Sequence, residues 1–314
     1  MRIWHSLSDV AIPASGSAVT IGKFDGVHIG HLAIITQLRS LAKERGLQSV
    51  VVTFDKHPSA LFTPESTPQD ITGLDHRLEL LEASGVDAAL VLPFTAELAA
   101  LSPADFAAQV LQHALNAKLV FVGQDFRFGA HAAGDVAALR ELGALLGFEV
   151  VLIDDVCHDD GQRASSSWIR ELLERGEVAQ ADELLGRLPS VQGEVVHGAA
   201  RGRELGFPTA NLSQDSTGLA PADGVYAGWL TARGVRYPAA ISVGTNPTFA
   251  GQLHRTVEAY VIDEDLDLYG EHVIVEFAAH LRPMLTFDGI DALIEQMKLD
   301  VDQARDLTSQ ENAR

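Results

Sequence analysis

The chain has 314 residues, 46% hydrophobic and 21% charged. That is enough for about two domains of ~100–200 residues and lies outside the composition of a disordered chain. Its 23 Lys+Arg against 43 Asp+Glu give a formal charge of −20, which excludes a surface built to neutralise a nucleic-acid backbone, so an anionic ligand must meet local cations. The single cysteine, Cys157, excludes an intrachain disulfide and a Cys-based zinc site, and no apolar run approaches ~18 residues; a cytoplasmic protein with no membrane or nucleic-acid partner is expected.

Along the first 155 or so residues, short β-branched runs at 18–21, 50–54, 88–92, 118–122 and 149–153 alternate with amphipathic stretches. Continuous apolar runs suit strands buried on both faces of a parallel sheet. Ile34, Ile35, Leu38, Leu41 and Ala42 keep helical spacing, as do Phe106, Val110, Leu111 and Ala114. Strand and helix in this alternation predict a doubly wound, Rossmann-like α/β domain. A helical connector follows: Ser165-Ser166-Ser167 can cap a helix that ends near Gly176, and a second short helix ends near Gly186. Beyond it, period-two stretches at 256–262 and 272–277, separated by Gly, Pro and Asn turns, predict a small antiparallel barrel or sandwich. Ile290, Leu293, Ile294, Met297 and Val301 read as a closing amphipathic helix. The composition break divides the chain into 1–186 and 187–314.

Two constellations carry chemistry. The first, Gly22-Lys23-Phe24-Asp25-Gly26-Val27-His28-Ile29-Gly30-His31, follows the first predicted strand and opens the first helix, where open α/β sheets bind ligands. Histidines three apart, with glycine between, can donate to phosphate oxygens and stabilise charge on an α-phosphate; equally, such a pair can be capping or solvated groups. A zincin-type metal site needs a different spacing and an intervening glutamate. No Gly-x-x-x-x-Gly-Lys-Ser/Thr occurs, which disfavours a Walker-type NTPase.

The second constellation runs from His197 to Asn211. It places Gly198, Arg201, Gly202, Arg203 and Gly206 before Phe207-Pro208-Thr209-Ala210-Asn211. A glycine loop can wrap polyphosphate with backbone N–H groups while Thr209 and Asn211 offer oxygens that suit Mg²⁺. The alternative is a surface hairpin whose arginines pair with local acids. Glu258, in an apolar strand on the face of Tyr260 and Ile262, is either an exposed strand residue or a general base for an alcohol attacking a γ-phosphate.

Together with Thr53-Phe54-Asp55-Lys56-His57-Pro58, Val122 to Gly129, Arg163 to Arg170, Leu185-Gly186-Arg187, Gly224 to Ala227, Gly244 to Phe249 and Arg255 to Glu258, these motifs resemble the prokaryotic bifunctional riboflavin kinase/FMN adenylyltransferases, or FAD synthetases. The resemblance spans nearly the whole chain. It implies a nucleotidyltransferase α/β domain that adenylylates FMN to FAD with ATP, then a six-stranded flavokinase barrel with a C-terminal helix that phosphorylates riboflavin to FMN. Carried over by match, His28 and His31 would meet the ATP phosphates in catalysis, within an ATP site of Gly22, Phe24, Asp25, Gly26, Gly30, His57, Asp125, Arg163, Ser165, Ser166, Ser167 and Arg170. In the kinase half, Gly198, Arg201, Gly202, Gly206 and Pro208 would bind ATP, Thr209 and Asn211 would hold Mg²⁺, and Glu258 would deprotonate the ribityl 5′-hydroxyl. Lys56 stands where the family has proline, Ser167 where it has threonine, and Leu188-Pro189-Ser190 where it has Arg-Pro and an aromatic. A kinase with a degenerate first domain would not need His28, Gly30 and His31. A non-catalytic flavin sensor would not need Thr209, Asn211 and Glu258.

Overall fold

Six strands in the first part of the chain lie parallel in the order β1-β4-β3-β2-β5-β6: β1 (Arg2–Trp4), β2 (Ser17–Ile21), β3 (Gln48–Phe54), β4 (Ala88–Leu92), β5 (Ala117–Gly123) and β6 (Glu149–Ile153). The computed structural model describes residues 1–157, 161–198, 205–247 and 253–311. Packing divides the chain into two compact units, Met1–Gln69 with Leu74–Ala164, and Asp70–Gly73 with Ser165–Arg314.

In the first unit β2 and β4 are buried at every position, as strands covered on both faces must be. Helices α1 (Ile29–Arg45) and α3 (Leu74–Ala83) cover one face, where Ile35, Leu38, Leu78 and Leu81 meet Ala18, Val51, Ala89 and Phe121. Between them lies the short helix α2 (Ser59–Phe62). After the one-turn α4 (Ala96–Ala99), α5 (Pro103–Phe106) and α6 (Val136–Leu146) cover the other face, where Phe106, Val110, Leu111 and Leu139 meet Val19, Val50, Val52 and Leu90. The residues at 107–114 keep an α-helical apolar rhythm but wind as a π-helix, Ala107–Ala114. Strand β1, absent from the sequence expectation, adds the outer edge beside β4.

The second unit starts with α7 (Ser166–Glu174), whose N-cap Ser165 accepts a hydrogen bond from the Trp168 N–H at 3.2 Å, and α8 (Val178–Leu185), which ends at Gly186 in the left-handed region. The connector helices therefore pack with the barrel. Strands β7 (Ser190–Val196), β8 (Ala210–Leu212), β9 (Gly224–Ala232), β10 (Val235–Pro247), β11 (Leu253–Val261) and β12 (His272–Arg282) close it in the order β10-β11-β8-β7-β12-β9. Along β11, Val257, Ala259 and Val261 are buried while Thr256, Glu258 and Tyr260 share the other face. Farther along that face Tyr260 and Ala240 pack against Val301 and Ala304 of α9 (Ile290–Glu311). A partly buried pair, Arg282 with Asp300 at 2.9 and 2.7 Å, ties α9 to the end of β12.

Candidate functional sites

The sheet order reverses between β2 and β5: the chain steps outward from β2 through β3 to β4, returns to β5 on the other side, and continues to β6. The carboxyl edge at such a reversal is where open α/β sheets leave a crevice for ligands. The segments leaving that edge carry His28 and His31 after β2, His57 after β3, Asp125 after β5 and Asp155 after β6.

The turn after β2 is tightly specified. Gly22 donates its N–H to the Val52 carbonyl at 3.0 Å. Phe24 (φ 52°), Gly26 (φ 79°) and Val27 (φ 39°) all take the left-handed region, which costs a non-glycine residue about 1–3 kcal/mol and persists only where the surroundings fix it. Phe24, Asp25, Val27 and His28 are all buried, and Asp25 lies 3.7 Å from the Lys23 ammonium. His28 occupies the N-cap of α1. Its ring stacks on His31 with centroids 3.7 Å apart, and Phe24 lies against His31 at 4.9 Å. A Cβ on Gly30 would sit 3.0 Å from the His28 ring, tighter than an ordinary contact, so any larger residue would press on the imidazole. Two stacked imidazoles at the positive end of a 17-residue helix form a donor surface for anions.

His57 is held at Nδ1, which accepts the Ser59 N–H at 3.1 Å and lies 2.6 Å from Ser59 Oγ; the neutral ring therefore carries its proton on Nε2. The Arg163 guanidinium reaches Asp125 at 2.9 and 3.4 Å and Asp155 at 3.0 Å. The hydrogen bond from Arg163 holds the Asp125 carboxyl below its ordinary value, and Asp125 in turn raises that of Arg163. Ser165, Ser166, Ser167 and Arg170, grouped by sequence with this site, form the N-cap and first turns of α7 in the second unit.

In the barrel, β8 pairs with β11 so that Asn211 lies opposite Glu258. The Thr209 hydroxyl donates to the Glu258 carboxylate at 3.5 Å, and Asn211 Nδ2 donates to the Thr209 carbonyl and hydroxyl at 3.1 and 3.2 Å. These bonds consume the donors and leave Asn211 Oδ1, a Thr209 lone pair and Glu258 as oxygens. A Cβ on Gly198 would fall on the Asn211 amide, so the strand-end glycine is part of this cradle. Gly198, Pro208, Thr209 and Asn211 line one pocket with Glu264 and Tyr269, and Gly206 turns with φ 88°. Tyr269 stacks on His197 at 3.8 Å, and Phe207 meets Tyr260 edge-on at 5.4 Å. Arg201 and Gly202 lie outside the described residues.

Residues 12–168 match the family model described as FAD synthetase, and residues 185–308 match that described as riboflavin kinase. The chain is 36% identical over 303 residues to the bifunctional riboflavin kinase/FMN adenylyltransferase of Escherichia coli (strain K12), covering 96% of this chain and 95% of that protein. It is 32% identical over 292 residues to the bifunctional enzyme of Bacillus subtilis (strain 168), covering 92% and 91%. The chain belongs to the bifunctional riboflavin kinase/FMN adenylyltransferase family. A solved structure from Streptococcus pneumoniae, described as a macrolide-efflux protein, shares the fold with a TM-score of 0.87 and 33% identity, covering 96% of this chain and 98% of that one. Among the described residues no helix is long and apolar enough to cross a membrane. As a bifunctional riboflavin kinase/FMN adenylyltransferase the chain makes FMN from riboflavin and ATP, and FAD from FMN and ATP.

The same sheet edge carries an aromatic group that no sequence motif marks. Phe94 after β4 meets Phe54 edge-on at 5.4 Å and Phe62 of α2 at 6.4 Å, and Phe62 is 67% exposed. In the sequence these phenylalanines stand far apart, at 54, 62 and 94, and the group becomes visible only when β3 and β4 are paired.

Proposed function

We propose that the two transfers are made at two separately built sites, His28 and His31 serving adenylyl transfer and Thr209, Asn211 and Glu258 serving riboflavin phosphorylation. The observation that carries this reading is that each constellation assembles within its own compact unit. In the first transfer an oxygen of the FMN phosphate attacks the ATP α-phosphorus and pyrophosphate leaves. The imidazole donors and the start of α1 stabilise the charge gathering on the α-phosphate oxygens. His57, with its proton on Nε2, adds a donor at the same edge, as does Arg163 once Asp125 and Asp155 have oriented it. Gly22, Gly26 and Gly30 let the backbone approach the nucleotide. The exposed ring of Phe62, beside Phe94, suits an isoalloxazine ring.

In the second transfer the Glu258 carboxylate accepts the proton of the ribityl 5′-hydroxyl as its oxygen attacks the γ-phosphorus and ADP leaves. The oxygens of Thr209 and Asn211, cradled at Gly198, fit a hard divalent cation such as Mg²⁺, which when bound would neutralise phosphate charge. Gly198, Gly206 and Pro208 would meet ATP, together with Arg201 and Gly202 of the same sequence motif. Both reactions draw on ATP, which suits a cytoplasmic enzyme.

Glu258→Gln keeps the hydrogen-bonding shape and removes the proton acceptor. FMN formation should fall by about 10²–10⁴, while FAD formation from added FMN stays at the wild-type rate. Wild-type FMN formation by this variant would overturn the role of Glu258.

A further inference from the structure

The mechanism above leaves a buried cation unused. Arg77, on α3, is fully buried, and its Nη1 donates to the Lys23 carbonyl at 2.7 Å and lies 3.3 Å from Thr53 Oγ1. The Thr53 hydroxyl, also fully buried, donates to the same carbonyl at 2.8 Å. One backbone oxygen thus receives two donors from two elements. That oxygen belongs to the peptide leading into Phe24, the first left-handed residue of the turn. Fixing the plane of this peptide helps set the backbone of Phe24 and the direction in which its side chain leaves, and the Phe24 ring lies against His31, which stacks on His28. A chain of contacts therefore runs from Arg77 and Thr53 through the Lys23 carbonyl and Phe24 to the paired imidazoles.

We infer that Arg77, assisted by Thr53, is a positioning residue for adenylyl transfer, clamping the turn so that His28 and His31 present their rings to the ATP phosphates. The assignment rests on the reading that these histidines act on ATP. A guanidinium suits the task because its charge is permanent and its fork is rigid, so the clamp does not loosen with pH. Displacement of a preorganised donor by about 1 Å is enough to cost about 10² in rate.

The test compares Arg77→Met, Arg77→Lys, Thr53→Val and Thr53→Ser in the full chain, with His28→Ala as reference. Arg77→Met should lower kcat for FAD formation by about 10² with the KM for ATP within about threefold, because the donors remain but are misaimed. Arg77→Lys, which retains one donor to the carbonyl, should recover at least about tenfold of that loss. Thr53→Val should lose about tenfold and Thr53→Ser little. FMN formation, made in the other unit, should be unchanged throughout. Should Arg77→Met not fold, the Thr53→Val and Thr53→Ser pair decides alone. Wild-type kcat in Arg77→Met or in Thr53→Val, or equal loss of both activities, would overturn the inference. Undiminished FAD formation by His28→Ala would instead overturn the reading on which it rests.

Discussion

At Gly198 a single methyl group separates two outcomes. The backbone there does not need glycine for its dihedral angles, since Gly198 is absent from the positive-φ residues; it needs glycine because a Cβ would fall on the Asn211 amide. Gly198→Ala should push Asn211 off Thr209 and lower FMN formation by at least about tenfold, while FAD formation from added FMN holds; steady-state assays of each step read this directly. Asp125 makes a prediction of different kind. Its carboxyl is held below the ordinary value by the hydrogen bond from Arg163, so its contribution to stability is present above the unfolded value of about 3.9 and is lost as pH falls through the depressed folded value. The carboxylate is largely exposed, so the contribution is small. The melting temperature of the wild type should exceed that of Asp125→Asn above about pH 4.5, and the gap should close as the pH falls further. A gap unchanged down to pH 2.5 would refute the assignment.

The connector helices supply the test at the scale of elements. Ile169, Leu172 and Leu173 on α7 and Val178, Ala181, Leu184 and Leu185 on α8 are buried within the second unit. The Ala222 N–H donates to the Leu173 carbonyl at 2.8 Å, and Gly176 lies beside the Tyr226 hydroxyl. A fragment of residues 187–314 should still phosphorylate riboflavin, since Thr209, Asn211 and Glu258 are all within it. Without α7 and α8 it should melt at least about 5 °C below a fragment of 165–314; calorimetry on the two fragments checks this, and equal melting points would show that the helices do not support the barrel. The caps of these helices were legible, because Ser165 and Gly186 state their purpose by residue type. Their partner was not, because an apolar face says that it is buried but not against what. The central sheet strands were legible for a different reason, as uninterrupted apolar runs. Arg2–Trp4 was too short and too exposed to stand out, and the π-winding of 107–114 leaves the apolar spacing of an α-helix intact. Of the candidate sites, His28 and His31 stand out in the sequence by spacing, and Thr209 and Asn211 by residue type after a glycine loop, whereas Arg77 reads as one more surface arginine until α3 is folded onto the sheet.

For the molecule as a whole, a net charge of −20 sets a polyanionic substrate against the field of the protein. On the reading proposed above, each transfer depends on a few groups gathered in one place: a helix start with two imidazoles in the sheet unit, and oxygens that fit a cation in the barrel. Separate construction of the two sites is the central claim, and the product distribution of one variant tests it most directly. The His31→Ala chain, incubated with riboflavin and Mg-ATP and its flavins resolved by chromatography, should convert riboflavin to FMN at the wild-type rate. FAD formation should fall by about 10²–10³, so that FMN accumulates. Undiminished FAD, or loss of FMN formation in a variant that remains folded by circular dichroism, would contradict the account.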